Sequence, residues 1–379
     1  QVRFAPAKIK FHTDATDFRK FRPQNPDSPA IASSAKVPVQ FDLGVFGSKP
    51  AGRNEALFAT VGANFEGGNS TQGPTVTPPD TMGEVGPANV VVPLNNQLRV
   101  FNRTGTLISA INTDTFFSSI RTAGSFTSDP RVRFDRLTNR WFICAIDTAS
   151  PRNRLMLAVS DSDTISASTV WTFSFATAAN NRFADYPTLG VDQNGIYIGI
   201  NSFAPGYVGS DLWCFRKADA IAGTLAGTTF LNLSDSFTPF IADNDDPSAT
   251  NAYYLAVSNA NFGLFKFGRV APSGGGFTFS QAITNLTVAS TSFPVDQTIP
   301  GGSHSTIDDR MFSAKVFYDR VTNTRTLWTT QNMAVNSSGV ATNSGTRTNG
   351  SRWYQIAGIN GTPNVQQFGT VFNTTTGFS

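Results

Sequence analysis

The stretch "FDRLTNRWFI", residues 134–143, has a second copy in the same chain, "YDRVTNTRTLW" at 318–328. Both run aromatic, Asp, Arg, Leu or Val, Thr, Asn, and then enter a segment containing Trp. "VDQNGIYI" (191–198) and "VFNRTGTL" (100–107) carry the pattern in weaker form. Asp or Asn opens such a turn by bonding its own backbone, and Asn or Gly then takes positive φ at low cost. Four copies of this chemistry predict a repeated β unit, each copy joining the first two strands of a unit.

Between these turns the chain writes short runs of β-branched and aromatic residues, such as "NVVVPL", "RLMLAVS", "GIYIGIN" and "NAYYLAVS". Gly, Asn, Asp and Pro clusters separate them. The best helical segment is "RKADAIAGT", 216–224, worth one or two turns. Regular short strands with frequent turns predict an all-β sandwich, barrel or propeller. A second repeat decides among these. Asp80, Asp129, Asp185, Asp246 and Asp309 recur at steps of 49, 56, 61 and 63 residues. That is the chain a four-stranded blade with long loops consumes. The expected fold is a β-propeller of six or seven four-stranded blades over 61–379, with each Asp where an inner strand begins. Residues 1–60, Pro- and Ser-rich in "RFRPQNPDSPAIASSAKVPVQ", read as an extended N-terminal arm. The C-terminal segment reads as two strands of an unfinished blade.

Composition excludes several functions. Charged residues make up 15% of the chain, and the net charge is only +3. Arg is dispersed, so no basic run tracks phosphates and nucleic acid is not an expected partner. No apolar run reaches the ~18 residues of a membrane helix. Gln1 at the start fits a processed, secreted form. Cys144 and Cys214 each lie in an apolar run, either as a cross-strand disulfide or as two buried thiols. No Cys/His set has zinc spacing, and no Gly-x-Ser-x-Gly occurs.

"PPDTMGEVGPANVVVPLNNQLRVFNRTG", "DPRVRFDRLTNRWF", "DYPTLGV", "DDRMFSAKVFYD" and "RWYQI" with "VQQFGTV" stand in this order. Together they resemble a family of secreted bacterial β-propeller proteins, mostly uncharacterised and similar to the sialidase-like propeller group. The resemblance covers residues from about 60 onward and implies a propeller fold and an extracellular or cell-surface location. It implies no mechanism. The family pattern runs past "QQFGTV" into a further blade, so the ring here is expected to be truncated or closed another way. The marks of true sialidases are missing: "SDSDTISASTVW" is spaced too long for an Asp-box, and "FRPQNP" only distantly echoes the Arg motif.

Inner-strand starts of a propeller converge on one mouth of its channel. Asp80, Asp129, Arg131, Asp185 and Asp246 are therefore the candidate ligand-binding residues, with His304, Asp309, Tyr186 and Arg310 as candidate catalytic groups. Clustered carboxylates need compensation. An axial Ca²⁺, Arg and backbone N–H groups, or a polyhydroxylated ligand would supply it, and the simplest alternative is that each Asp caps its own loop. Asp243, Asp245 and Asp246 in "ADNDDPSAT" are candidate calcium ligands. Three functions stand open. The first is glycan binding at the channel mouth or blade loops. The second is cleavage of a polysaccharide by a glycosidase or lyase. The third is a structural or adhesive homo-polymer in which the arm of one copy adds to the open blade of another.

Overall fold

The computed structural model describes residues 63–69, 76, 78–299 and 302–372. They form an all-β propeller of five blades, each an antiparallel meander of four strands. Blade 1 comprises β1 (Glu84–Val85), β2 (Asn89–Leu94), β3 (Gln97–Asn102) and β4 (Leu107–Ile111). Blade 2 holds β5 (Thr127–Asp135), β6 (Arg140–Asp147), β7 (Arg154–Ser160) and β8 (Trp171–Thr177). In blade 3 the inner strand comes in two pieces, β9 (Phe183–Asp185) and β10 (Gly190–Val191), both paired with β11 (Gly195–Phe203). Then follow β12 (Tyr207–Arg216) and β13 (Gly227–Leu233). Blade 4 is β14 (Ser236–Ile241), β15 (Ala252–Ser258), β16 (Leu264–Ser273) and β17 (Gly276–Thr287). A hairpin of β18 (Gln297–Ile299) and β19 (Gly302–His304) leads to blade 5: β20 (Met311–Asp319), β21 (Thr324–Val335), β22 (Thr348–Ala357) and β23 (Asn364–Phe372). The helices are short, α1 (Thr113–Phe116) and α2 (Lys217–Ile221), the latter inside the segment read as helical.

The count of five corrects the expected six or seven. Two misreadings explain the excess. "VFNRTGTL" joins β3 to β4, the third and fourth strands of blade 1, and does not open a blade. The C-terminal pair is no fragment either: β22 and β23 complete blade 5. The missing strand that motivated polymerisation is therefore not missing: the blade has all four. The other three turns, at 134–140, 191–195 and 318–324, do join first and second strands. The arm of residues 1–60 lies outside the described residues.

Both faces of the middle strands of blades 2, 3 and 4 are buried, because each of these three blades is sandwiched between two others. On β6, Trp141, Ile143 and Ala145 pack toward blade 1, whereas Phe142, Cys144 and Ile146 pack toward blade 3. On β11, Ile196, Ile198 and Ile200 face blade 2 while Tyr197 joins Tyr254 and Val270 of blade 4. A period of two with both faces covered writes a continuous apolar run, as in "RWFICAI" and "GIYIGI". Cys144 and Cys214 belong to different inter-blade cores and are free thiols.

Blades 3 and 4 meet closely enough that side chains are excluded. A Cβ on Gly199 would lie 2.0 Å from the Pro239 carbonyl oxygen, and one on Gly190 would lie 2.1 Å from that of Ile241. Backbone cannot retreat as a flexible side chain can. Gly199→Ala is expected to lower stability by about 1–3 kcal/mol, read as a lower midpoint in urea unfolding; an unchanged midpoint would refute this packing.

Candidate functional site: the acid-lined channel mouth

Four blades begin with the same backbone event. Asp80, Asp129, Tyr186 and Thr238 have φ of 43°, 54°, 51° and 48°, and each stands next to a proline in sequence. Left-handed backbone is uncommon for residues other than Gly, and for β-branched Thr it is a true outlier. The strand pairing breaks at these places: β5 shifts register between Ser128 and Arg131, β14 shifts between Phe237 and Phe240, and blade 3 splits into β9 and β10. The kinks are held by side chains of the preceding blade. Asp129 N–H donates to Asn95 Oδ1 of blade 1 at 2.8 Å. Tyr186 N–H donates to Asp129 Oδ2 of blade 2 at 3.2 Å. Thr238 N–H donates to Asn201 Oδ1 of blade 3 at 2.9 Å. Removing the acceptor leaves a buried donor unpaired. Asn201→Ala is thus expected to cost about 2–3 kcal/mol in urea unfolding, and a loss below a tenth of that would show that the kink holds itself.

These kinks converge. Two guanidinium groups lie over the Tyr186 ring, Arg131 of blade 2 at 4.4 Å and Arg310 of blade 5 at 4.1 Å from its centre. Groups from blades 2, 3 and 5 meet in this way only at a common axis. Arg310 also lies over Phe237 of blade 4 and is gripped bidentately by Asp308, Nε to Oδ1 at 2.9 Å and Nη2 to Oδ2 at 2.7 Å. Asp309 accepts from Gln331 Nε2 through its backbone oxygen at 2.5 Å and through Oδ2 at 3.3 Å. Arg131 donates from Nε to the Pro187 carbonyl at 2.6 Å, and its two terminal nitrogens, both buried, have no hydrogen-bond partner among the described residues.

Asp80 and Asp129 form a carboxyl pair. Burial, the charge of Asp129 and their mutual hydrogen bond raise Asp80 to about 7, against the opposing pull of Arg131 and of Asn95, whose Nδ2 donates to Asp80 Oδ2 at 2.6 Å. Asp80 therefore holds its proton to near neutrality, in a hydrogen bond with Asp129. Asp80 and Tyr186 are partly exposed, while Asp129, Asp185, Asp308, Asp309 and Arg310 are buried behind them.

Asp80, Asp129, Arg131, Asp185, Tyr186, Asp309 and Arg310 thus occupy the inner-strand starts expected of them. Asp246 does not. It lies in the β14–β15 turn, at the far end of its inner strand, where its Oδ1 accepts from Ser248 N–H at 2.9 Å. It is the counterpart of Asp135, Asp192 and Asp319, which accept backbone N–H groups in the equivalent turns. In the sequence a hairpin aspartate and a mouth aspartate look alike. Thr238–Pro239 takes the blade 4 position. The signal for it was the X-Pro dipeptide shared with Asp129–Pro130 and Tyr186–Pro187. The remaining calcium candidates also sit at this far end, each with a cation: Asp243 with Arg133, Asp245 with Lys315 at 3.1 Å, Asp246 with Arg325. Among the described residues no group of three or more His, Cys, Asp or Glu is arranged to hold a metal ion. The side chain of His304 lies outside the described residues.

No protein family matches the chain, and no curated protein matches it. Solved structures similar to it include the GH43 endo-arabinanase from Bacillus licheniformis, at 14% identity over 75% of this chain and 96% of that one, with a TM-score of 0.37. A second is 1,3Gal43A, an exo-β-1,3-galactanase from Clostridium thermocellum, at 9% identity over 80% of this chain and 64% of that one, with a TM-score of 0.40. This chain spans just under two thirds of the galactanase. Likeness at this level transfers no chemistry. The site described above stands on this chain's own residues.

The Asp80 pair makes stability depend on pH. The native state keeps a proton up to about pH 7, whereas an unfolded Asp loses it near 3.8. The native state then binds more protons across that window, so this group's contribution to stability falls as pH rises from about 4 to about 7. Asp243, raised by burial to about 6 against the pull of Arg133, acts in the same direction. Asp80→Asn is expected to match the wild type at pH 4 and to exceed it by roughly 1–3 kcal/mol at pH 8, measured by chemical unfolding at both pH values; a gain of the same size at pH 4 would show that Asp80 holds no such proton.

Proposed function

We propose that the channel mouth binds a polysaccharide outside the cell and cleaves a glycosidic bond, with Asp80 as the proton donor. The observation that carries this reading is a carboxylic acid that stays protonated to about pH 7 at a partly exposed position in a ring of polar groups. Perturbed carboxyls of this kind mark acid–base sites. In the proposed step the Asp80 O–H protonates the glycosidic oxygen as the bond to the anomeric carbon breaks. Water adds to that carbon, and a second carboxylate takes its proton. Asp129 is excluded from the second role, because carboxyls that hydrogen-bond to each other are closer than the ~5 Å that even retaining hydrolysis needs. We assign the role to Asp185 of blade 3, next to Tyr186. Asp129 then serves to hold the proton on Asp80.

The same closeness favours a second reading, glycan binding without cleavage, in which the mouth offers donors and acceptors only. One experiment separates the two. The protein is incubated with a panel of soluble polysaccharides, and new reducing ends and column retention are both scored. Hydrolysis predicts new ends, reduced by ~10²–10⁴-fold in Asp80→Asn. Retention with no new ends supports binding alone. Cleavage by Asp80→Asn at the wild-type rate sinks the acid assignment.

A further inference from the structure

Two arginines lie over the ring of one tyrosine, Tyr186, and they are not equivalent. Arg310 has its fork closed by Asp308. Arg131, only 4% exposed, spends Nε on the Pro187 carbonyl and leaves both terminal nitrogens without a hydrogen-bond partner among the described residues. A buried guanidinium end is costly to leave unmatched. The neighbours of this end are the partly exposed Asp80 and Tyr186, so it sits just behind the surface that a ligand would meet.

The charge around it restricts the ligand. Asp80, Asp129, Asp185, Asp308 and Asp309 face two cations, Arg131 and Arg310. With Asp80 protonated, the mouth stays net negative. A uronic acid or sulfated sugar would satisfy Arg131 but would bring its own charge among these carboxylates, where repulsion is poorly screened. A neutral sugar escapes that penalty. Its hydroxyl oxygen accepts from Arg131 while the hydroxyl proton goes to a neighbouring carboxylate, so donor and acceptor are matched together.

We infer that Arg131 is the ligand-gripping residue of the mouth and that the mouth selects neutral, hydroxyl-rich sugar chains over acidic ones. This rests on the glycan reading above but not on hydrolysis. Once Arg131 is engaged, the ligand lies against Asp80, and the Tyr186 ring is held by Arg310, itself gripped by Asp308.

The test is calorimetric titration of the full chain at pH 7.5 with neutral hexasaccharides (xylo-, cello- and galacto-) and with hexagalacturonate. At least one neutral chain is expected to bind, with hexagalacturonate at least tenfold weaker at low salt and the gap narrowing as salt is added. Arg131→Lys is expected to lose at least tenfold affinity for the neutral chain, with its fold checked by circular dichroism. Asp80→Asn is expected to keep binding while losing cleavage. Equal or tighter binding of hexagalacturonate overturns the inference, and that comparison needs no variant. So does unchanged affinity in a folded Arg131→Lys. Arg131-dependent binding without new reducing ends supports the inference and sinks hydrolysis; cleavage that ignores Arg131 and accepts galacturonate does the reverse. Binding by no member of the panel overturns both.

Discussion

The structure depends on a relay of backbone clamps around the axis. In four of the five blades the chain is kinked at a positive-φ residue beside a proline, and the N–H at three of these kinks is held by a side chain of the preceding blade. A left-handed residue costs of order 1–3 kcal/mol. It persists only where neighbours over-determine it. Here the neighbour is another blade, so the local strain and the packing of blades on one another are one problem. The kink also sends Asp129 and Tyr186 toward the axis and not into an inter-blade core.

The two ends of the channel treat charge differently. At the far end, carboxylates are matched with cations from other blades. Arg133 of blade 2 pairs with Asp243 of blade 4, whose backbone N–H and C=O bond to Ala314 and Val316 of blade 5, while Asp243 Oδ1 accepts from Val191 N–H of blade 3 at 3.0 Å. One residue ties four blades. At the mouth, acids outnumber cations, and a proton on Asp80 and a double cation–π stack provide the compensation. The matched end suits a clasp. The mouth, where acids outnumber cations and Arg131 keeps two buried nitrogens without partners among the described residues, suits a site.

Much of this was legible from residue order. The turns at 134–140, 191–195 and 318–324 announced blade hairpins, because Asx chemistry is local and needs no partner far along the chain. Asp80, Asp129, Asp185 and Asp309 were legible as one set through their spacing. Asp246 was misplaced because the chemistry that caps a hairpin and the chemistry that lines a mouth use the same residue. Thr238 went unseen, since a threonine in an apolar run gives no sign of a left-handed backbone.

The sequence by itself determined that the chain is all-β, built of repeated four-stranded units with buried middle strands, because strand period and turn chemistry act over a few residues. Only the tertiary structure decided the number of blades, the end of each inner strand at which an aspartate lies, and which arginines meet over Tyr186. Those facts turn on contacts between residues fifty or more positions apart, such as Arg133 with Asp243 and Arg310 with Tyr186. Such distances are set by how blades close around an axis, which no local pattern encodes.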